Sequence, residues 1–436
     1  MTLPPGPNSL LFGLDNVSKF SNDILGFSLK QKQEFGDCVS FRMGPFRGFF
    51  FFHPDQIKEI LLTHWQKLPK MERNVRVLRQ WDGNGLLLSE GKFWQRQHRL
   101  VKPAFSPNTL ASYCDIFVNR TKAKISKWDK VIDMDEQMTS LTLEIICESI
   151  FGGEVREQTK ELGKAVHILN DVAMKEMPSL FIPPRWLPTE HNRKKFWAME
   201  LLDQTIKSFI EQKSKNPTND LLSSLLSSAD EEGKMTLEQV RDEAMVLFLA
   251  GHDTTAASLI WTFYLLSKNS EVEKKVIAEI NEVLGQRSAS FADIPKLKYL
   301  RQVILESLRL YPPAIGTFAR EASEDLIIGG YEVPKKSIIW NFSFITQRDE
   351  RWFPNPLLFD PDRFSPEREK LIPQFAYFPF GGGPRACIGK DFAITEMILV
   401  IATILQKCRP KLQMDGDASL RVGFSLRPAE KLMFSI

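Results

Sequence analysis

A twelve-residue stretch near the end of the chain, residues 378–389 (FPFGGGPRACIG), combines three consecutive glycines, an arginine and one cysteine. Two kinds of chemistry fit these residue types. Residues 381–386 match the G-x-G-x-x-A pattern of loops that cradle a dinucleotide pyrophosphate. Alternatively, the glycines shape a tight loop around Cys387, and the cysteine thiolate is the functional group.

The surrounding sequence argues against the dinucleotide loop. That fingerprint follows a strand in a βαβ unit and has an acidic residue about 20 positions further on. Residues 401–406 are Ile-Ala-Thr-Ile-Leu-Gln, without an acid. The rest of the chain predicts no repeated parallel βα units, so the sequence favours a metal-binding cysteine.

The position of Cys387 favours a thiolate. The cysteine directly precedes a helix predicted over residues 389–406, and the N-terminus of a helix stabilises negative charge. Zinc needs about four ligands, so a lone cysteine is a poor zinc site. It suits the single axial thiolate of a haem iron. Taken alone, a cysteine is more often a small buried hydrophobe.

A second stretch with chemical potential is AGHDTT, residues 250–255. Glycine and threonine are weak helix formers, and a threonine hydroxyl can bond back to the preceding turn. We expect a local opening of the helix that leaves room for dioxygen and water. Asp253 beside Thr254 would then relay protons. The alternative is an ordinary kink with solvated polar residues.

Two residue pairs recur at helical spacing. Trp94 and His98 face one side of a basic helix predicted over residues 92–103, and Glu306 and Arg309 share a face of a helix over residues 300–311. On a surface helix, an i,i+3 ion pair is common and contributes only about 0.2–0.5 kcal/mol.

The predicted elements make the protein mainly α with a minor β portion. A Thr236–Gln239 capping box begins a helix that extends to about Leu266, roughly 45 Å at 1.5 Å per residue. Most of residues 106–281 is helical in pattern. The strand-like pieces lie at residues 39–52, 325–333 and 336–345.

Composition narrows the function classes. The chain has 436 residues, 43% of them hydrophobic, and 57 Lys+Arg against 54 Asp+Glu, which gives no nucleic-acid footprint. Five cysteines without regular spacing predict no disulfide framework. No apolar run reaches about 18 residues and no signal peptide is present, so we expect a soluble cytoplasmic protein. The alternative is a membrane-anchored form truncated before Pro4, since the Pro-rich start resembles a hinge.

The pattern Phe380-x-x-Gly383-x-Arg385-x-Cys387-x-Gly389 resembles the haem-binding signature of the cytochrome P-450 family. Three further family motifs occur in the right order, so the resemblance covers essentially the whole chain. It implies one catalytic domain over residues 1–436 with no fused reductase. It also implies haem b between the long central helix and the Cys-bearing loop with the final helix, and Cys387 as the axial iron ligand.

The resemblance also implies roles for other residues. Phe380 and Gly389 belong to the cofactor-binding signature. The haem propionates would bind to four side chains, with a histidine where arginine is more usual: Trp94, His98, Arg320 and Arg385. Asp253 and Thr254 would deliver protons. A buried structural group would join the helix pair to an arginine of a later loop: Glu306, Arg309 and Arg363.

The implied activity is insertion of one oxygen atom from O2 into a substrate. Electrons would come from NAD(P)H through a separate ferredoxin or flavodoxin and its reductase. The donor would dock on the basic helix with Lys92, Arg96, Arg99 and Lys102. The same ligand also occurs in haem-thiolate isomerases, in peroxygenases and in non-catalytic haem sensors, which are the alternatives. We expect a monomer.

Positions similar to the family's substrate contacts are apolar, which implies a lipophilic substrate such as a fatty acid or a terpenoid. They are Leu86, Leu87, Phe248, Ala250, Ala314, Ile315 and Phe424, and each fits a plain core position equally well. Arg47, placed at the turn of the first hairpin, would anchor a substrate carboxylate. The alternative for Arg47 is a solvated turn residue.

Overall fold

A computed structural model of the protein describes residues 2–152, 159–179, 182–218 and 220–436. The described residues separate into two units, each with its own internal contacts. The first takes in the chain up to Val77, Arg309–Leu358 and Phe364–Cys387. The second takes in the described residues of Leu78–Leu308, Phe359–Arg363 and Ile388–Ile436.

Helices dominate the described chain, as the sequence predicts. In chain order they are α1 Leu14–Asn22, α2 Ile24–Phe35, α3 Pro54–Lys58, α4 Glu72–Asp82, α5 Gly91–Val101, α6 Pro107–Ile125, α7 Met134–Phe151, α8 Thr159–Glu176, α9 Glu190–Lys215, α10 Leu221–Ser227, α11 Leu237–Lys268, α12 Ser270–Leu284, α13 Lys298–Leu310, α14 Ser343–Thr346, α15 Pro366–Glu369 and α16 Lys390–Leu405. A π-helical turn, Glu59–Thr63, follows α3 directly.

The strands are short and form the minor β portion. They are β1 Cys38–Met43, β2 Phe46–Phe51, β3 Val131–Asp133, β4 Ala229–Asp230, β5 Gly233–Lys234, β6 Arg320–Glu321, β7 Leu326–Ile328, β8 Tyr331–Val333, β9 Ile338–Trp340, β10 Lys411–Leu412, β11 Leu420–Val422, β12 Leu426–Pro428 and β13 Met433–Ser435. The strand-like stretch at residues 336–345 was predicted too long, because only β9 is extended there and α14 follows it.

The first unit is built on a four-stranded sheet in the order β1-β2-β9-β6. The predicted hairpin of β1 and β2 is confirmed, and β9 joins β2 in parallel. Side chains on one face stack into an aromatic cluster in which the Phe41 and Phe50 ring centroids lie 4.6 Å apart. Phe20 and Trp340 pack against it with centroids 5.2 Å apart. The many phenylalanines of this region therefore build a core.

The second unit is organised around α11. Its capping box is formed as predicted, since the Thr236 hydroxyl accepts the Gln239 N–H (3.2 Å) and the Gln239 side chain accepts the Thr236 N–H (2.9 Å). The helix runs 32 residues and is buried on most sides against α7, α9 and α16. Within the described chain it is the one helix long and apolar enough to cross a membrane, but 83% of its most apolar window is buried inside the protein. Such burial is typical of a core helix.

Candidate functional site

Cys387 lies at the end of a loop that is held by two hydrogen bonds within its own backbone. The Gly381 N–H donates to the Phe378 carbonyl (2.9 Å), and the Cys387 N–H donates to the Phe380 carbonyl (2.9 Å). A 3-10 turn over Gly383–Arg385 lies between them. The predicted final helix begins three residues later, with Gly389 as its N-cap. Two backbone hydrogen bonds thus hold the loop that carries the cysteine.

Glycine is required at two positions of this loop. Gly383 has φ +66°, and a Cβ there would lie 2.0 Å from the carbonyl oxygen of Leu61 in the π-helical turn. A Cβ at Gly382 would lie 2.4 Å from the Phe375 ring. Gly381 has φ +70° but no atom near its missing side chain. The loop therefore follows the backbone of its neighbour at a distance that only glycine allows.

Cys387 is the exposed cysteine of the chain. Cys38, Cys114 and Cys147 are buried, and Cys408 is half-buried. Burial raises the pKa of the Cys408 thiol to about 11 and that of Cys114 and Cys147 to about 12. Burial also raises the pKa of the Cys38 thiol well above its usual range, so all four thiols stay protonated at neutral pH. An iron ligand must be an accessible thiolate, so the chemistry of Cys387 fits a haem.

The described residues offer no second kind of metal site, one with several protein ligands, at this loop. Among the residues that the structure describes, no group of three or more His, Cys, Asp or Glu side chains is placed to hold a metal ion. A zinc or iron–sulfur site needs several such ligands. The donor set of the described chain therefore suits a cofactor held by one protein sulfur.

A glutamine ties the buried Arg309 to the start of the loop. The Gln347 side chain donates to the Arg309 carbonyl (3.0 Å) and accepts the Phe378 N–H (2.9 Å). The Arg309 guanidinium in turn donates to the carbonyls of Gln347 and Pro356, both at 2.8 Å. Gln347 is fully buried. Sequence reasoning missed it, because a single glutamine outside any motif carries no local signal.

Glu306 and Arg363 form the buried contact that the family resemblance implies. Both side chains belong to the second unit, and the Arg363 Nε donates to Glu306 Oε1 at 3.3 Å. The same oxygen accepts the Asp360 N–H at 3.0 Å. Glu306 has no exposed surface and Arg363 only 5%. The alternative of a weak surface ion pair is therefore wrong for Glu306.

Asp253 lies in a buried ion pair. The Arg427 Nη2 on β12 donates to Asp253 Oδ1 at 2.7 Å, and the same guanidinium also binds Asp135 and Thr139. Although burial opposes ionisation of Asp253, the neighbouring Arg427 holds the pKa of its carboxyl below the usual range. Asp253 is therefore a carboxylate at neutral pH. Sequence reasoning missed Arg427, which lies 174 residues away in the chain.

The expected opening of α11 beside Thr254 is absent. The helix is α-helical throughout Leu237–Lys268, and the Thr254 hydroxyl donates to the Ala250 carbonyl at 3.0 Å. Thr255 donates in the same way to Gly251 at 3.1 Å. These hydroxyls bond back to carbonyls of the preceding turn without displacing the backbone. The alternative of a solvated kink also does not hold for Asp253, which is buried.

The side chains expected to bind propionates occupy both units. In the first unit, Arg320 is buried on β6, and the Arg385 guanidinium lies 6.0 Å from the Trp65 ring. In the second unit, Trp94 and His98 share one face of α5, with ring centroids 5.1 Å apart. The predicted pairing of these two rings on one helix face is confirmed.

Two of the four basic side chains on and directly after α5 are paired with acidic residues, so fewer positive charges are available to a docking partner than the sequence indicates. Asp230, on the β4–β5 hairpin, accepts from Arg96 (3.0 Å) and from Arg99 (2.6 Å). The Arg96 Nε also lies 3.2 Å from Glu232. This acidic hairpin therefore pairs with two of the four basic side chains on which the electron donor is expected to dock. Lys92 and Lys102 are exposed and have no acidic partner among the described residues.

The structure corrects the placement of one expected substrate contact, Arg47. Phe248 is 1% exposed and its ring centroid lies 6.0 Å from that of Phe151, which fits the alternative of a plain core position. Arg47 lies within β2, directly opposite Arg42 in the register, rather than at the turn. The other six positions are partly or fully exposed: Leu86, Leu87, Ala250, Ala314, Ile315 and Phe424.

The chain resembles known proteins over nearly its whole length. The family model described as Cytochrome P450 matches residues 4–434. The chain belongs to the cytochrome P450 family. As a cytochrome P450 it is a monooxygenase that carries haem b, uses O2 and receives electrons through redox partners.

Individual relatives match along most of their length. The cyclooctatin synthase of Streptomyces melanosporofaciens is 33% identical over 406 residues, which cover 88% of this chain and 87% of the relative. The cyclooctat-9-en-7-ol 5-monooxygenase of the same organism is 34% identical over 385 residues, with coverages of 86% and 82%. Human cytochrome P450 4V2 is 32% identical over 402 residues, with coverages of 83% and 76%.

The loop geometry predicts different results for two adjacent glycine variants. Gly381→Ala meets only the left-handed backbone penalty, roughly 1–2 kcal/mol. Gly383→Ala adds a collision with the Leu61 carbonyl, so it should lose more thermal stability and retain less haem. The ratio of Soret to protein absorbance and the melting temperature measure both effects. Equal losses in the two variants would contradict the close approach at Gly383.

Proposed function

We propose that this cytochrome P450 inserts one oxygen atom from O2 into a C–H bond of a lipophilic substrate, a fatty acid or a terpenoid, with Cys387 as the axial ligand of its haem. The proposal rests on one observation, the exposed thiol of Cys387 on a loop that hydrogen bonds within its own backbone hold in place. The name of one relative gives cyclooctat-9-en-7-ol as its substrate, which supports the lipophilic class.

Haem with a thiolate ligand supplies dioxygen activation, because the sulfur pushes electron density onto the iron. The protein's own residues bind and orient it. In the first unit, Cys387 would hold the iron, Arg320 and Arg385 would hold propionates, and Phe380 belongs to the loop. Gly389, the N-cap of α16, belongs to the second unit. In the second unit, Trp94 and His98 would donate hydrogen bonds to propionate, and a neutral histidine is sufficient for that.

We assign proton delivery to Asp253 and Thr254. Because Arg427 stabilises the ionised form of Asp253, the carboxylate must turn away from that guanidinium before it takes up a proton. The Thr254 hydroxyl must likewise release the Ala250 carbonyl before it donates elsewhere. In the resting arrangement Asp253 is therefore an ionised acceptor and Thr254 donates within its own helix, and a local movement is needed before either residue transfers a proton.

Oxygen labelling tests the function directly. The holoenzyme is supplied with NADPH, a surrogate ferredoxin and its reductase, and ¹⁸O2, with dodecanoic acid and cyclooctat-9-en-7-ol as separate substrates. A monooxygenase gives product with one ¹⁸O atom, measured by mass spectrometry. Product without label would identify an isomerase, and spin-state shifts without any product would identify a sensor.

In the same assay, Asp253→Asn should consume NADPH but yield about tenfold less product per NADPH, because general acid catalysis contributes at least that much. Unchanged coupling in Asp253→Asn would remove Asp253 from the relay.

We further propose that the electron donor is an external ferredoxin or flavodoxin that docks beside Lys92 and Lys102. Electrostatic steering predicts that Lys102→Glu slows reduction at low salt by about tenfold, whereas Asp230→Asn, which frees Arg96 and Arg99, speeds it. Stopped-flow reduction measures both, with the exposed Lys127→Glu as the control for charge. Identical rates in Lys102→Glu and wild type would exclude docking at this face.

Finally, we propose that the protein is a soluble cytoplasmic monomer. The burial of α11 supports this, since the one helix of membrane-spanning length in the described chain lies in a core. Flotation with lipid vesicles and analytical ultracentrifugation measure both properties. Flotation of the protein or a dimer mass would overturn the proposal.

A further inference from the structure

We propose that two neighbouring carboxylates near the start of α11, Asp242 and Glu243, are positioning residues that fix the loop of residues 83–87 and so set which substrates the enzyme accepts. The inference rests on the proposed function at one point, that Leu86 and Leu87 face the substrate. Neither carboxylate belongs to a motif that the sequence singled out.

Each carboxylate holds one N–H group of the loop. Asp242 Oδ2 accepts the Asn84 N–H at 2.7 Å, and Glu243 Oε2 accepts the Leu86 N–H at 2.9 Å. The two bonds fix the backbone immediately before and at the first predicted substrate contact.

The loop also lies close against α11. Gly83 has φ +63°, and a Cβ there would lie 2.1 Å from the Asp242 carboxylate. A Cβ at Gly85 would lie 2.7 Å from the Asp242 carbonyl oxygen. Two glycines thus let the backbone reach the carboxylates that hold it.

The carboxylates are themselves held from other helices. Glu243 Oε1 accepts from the buried Gln97 side chain of α5 at 3.1 Å. Asp242 Oδ1 accepts from Arg241 at 3.0 Å, and Arg241 also donates to Asp203 of α9 at 2.7 Å. The two acceptors of the loop are therefore held by a side chain of α5 and, through Arg241, by a side chain of α9.

This arrangement is unfavourable for stability alone. Glu243 has no exposed surface and no cationic partner among the described residues, and burial raises its pKa to about 7. Burial also raises the pKa of the nearby Asp82 to about 8. Apolar side chains would fill the same space at lower cost. The hydrogen bonds hold the loop in a single backbone position, which apolar packing alone does not do.

A fixed position matters because selectivity in an apolar pocket is sensitive to small displacements. One methylene group changes discrimination by about 10–200-fold. The Leu86 N–H is one bond from the Cα that carries its side chain, so release by Glu243 moves Leu86 directly. Leu87 follows it in the chain and is also partly exposed.

The test removes the acceptor and then restores it. Glu243→Met keeps the volume of the side chain but accepts no hydrogen bond. Glu243→Gln restores an acceptor for Leu86, and Gln97 can turn its amide to pair with the new one, because its own Oε1 has no partner in the structure. The matched control is Glu279→Met, since Glu279 similarly accepts the N–H groups of Tyr299 (2.7 Å) and Leu300 (2.9 Å) on another helix.

The first measurement is amide hydrogen exchange of residues 83–88 in the haem-loaded enzyme. We expect exchange to be about tenfold faster in Glu243→Met, near the wild-type rate in Glu243→Gln, and unchanged in Glu279→Met. Unchanged exchange in Glu243→Met overturns the proposal. This measurement does not depend on turnover or on the identity of the substrate.

The second measurement is the ratio of the dissociation constants of imidazole and 4-phenylimidazole, read from their spectral shifts. We expect Glu243→Met to change this ratio about tenfold and Glu243→Gln to restore it. Faster exchange with an unchanged ratio overturns the role in selectivity. A protein that binds both azoles as expected but forms no oxygenated product refutes the proposed function and leaves the positioning role supported.

Gly85→Ala provides a second variant should Glu243→Met fail to fold. It pushes the loop away from α11 without touching either carboxylate. The same increase in exchange and the same change in azole ratio support the proposal, and wild-type values in Gly85→Ala overturn it.

Discussion

The central constraint on this structure is that one thiol must stay accessible while its backbone is held rigid. Burial keeps the other cysteines protonated, so the sulfur of Cys387 cannot be fixed by packing it into a core. The loop is instead held by hydrogen bonds within its own backbone, and its glycines let it pass close to the Leu61 carbonyl. Gln347 then couples the loop to the buried Arg309. The position of the accessible sulfur therefore depends on residues elsewhere in the first unit.

In the second unit, several buried charged side chains are each paired with a specific side chain of opposite charge. Asp253 is paired with Arg427, Glu306 with Arg363, and Asp242 with Arg241. Replacing such groups by apolar side chains often stabilises a protein. Their retention on or beside α11 fits residues that must transfer a proton, fix a loop or brace a helix. The helix is thus both a core element and the carrier of several functional acids.

The sequence predicted what is encoded locally. The capping box of α11, the β1–β2 hairpin and the cysteine loop each depend on a few neighbouring residues, and each is present. The partners that complete the site are distant in the chain and lie outside motifs, as Arg427, Gln347 and Asp230 show. Phe248 shows a related gap: an apolar residue on a helix looks the same in sequence whether it lines a pocket or a core. The opening expected in α11 failed because the threonine hydroxyls bond to the carbonyls of their own helix.

The central claim, that Cys387 alone supplies the axial sulfur, is tested most directly by the carbon monoxide difference spectrum of the reduced protein. Cys408→Ser serves as the control because Cys408 is the next most exposed thiol. The wild type and Cys408→Ser should show the red-shifted Soret band that thiolate ligation produces, and Cys387→Ser should lack it. A Cys387→Ser protein that keeps the shifted band would contradict the account.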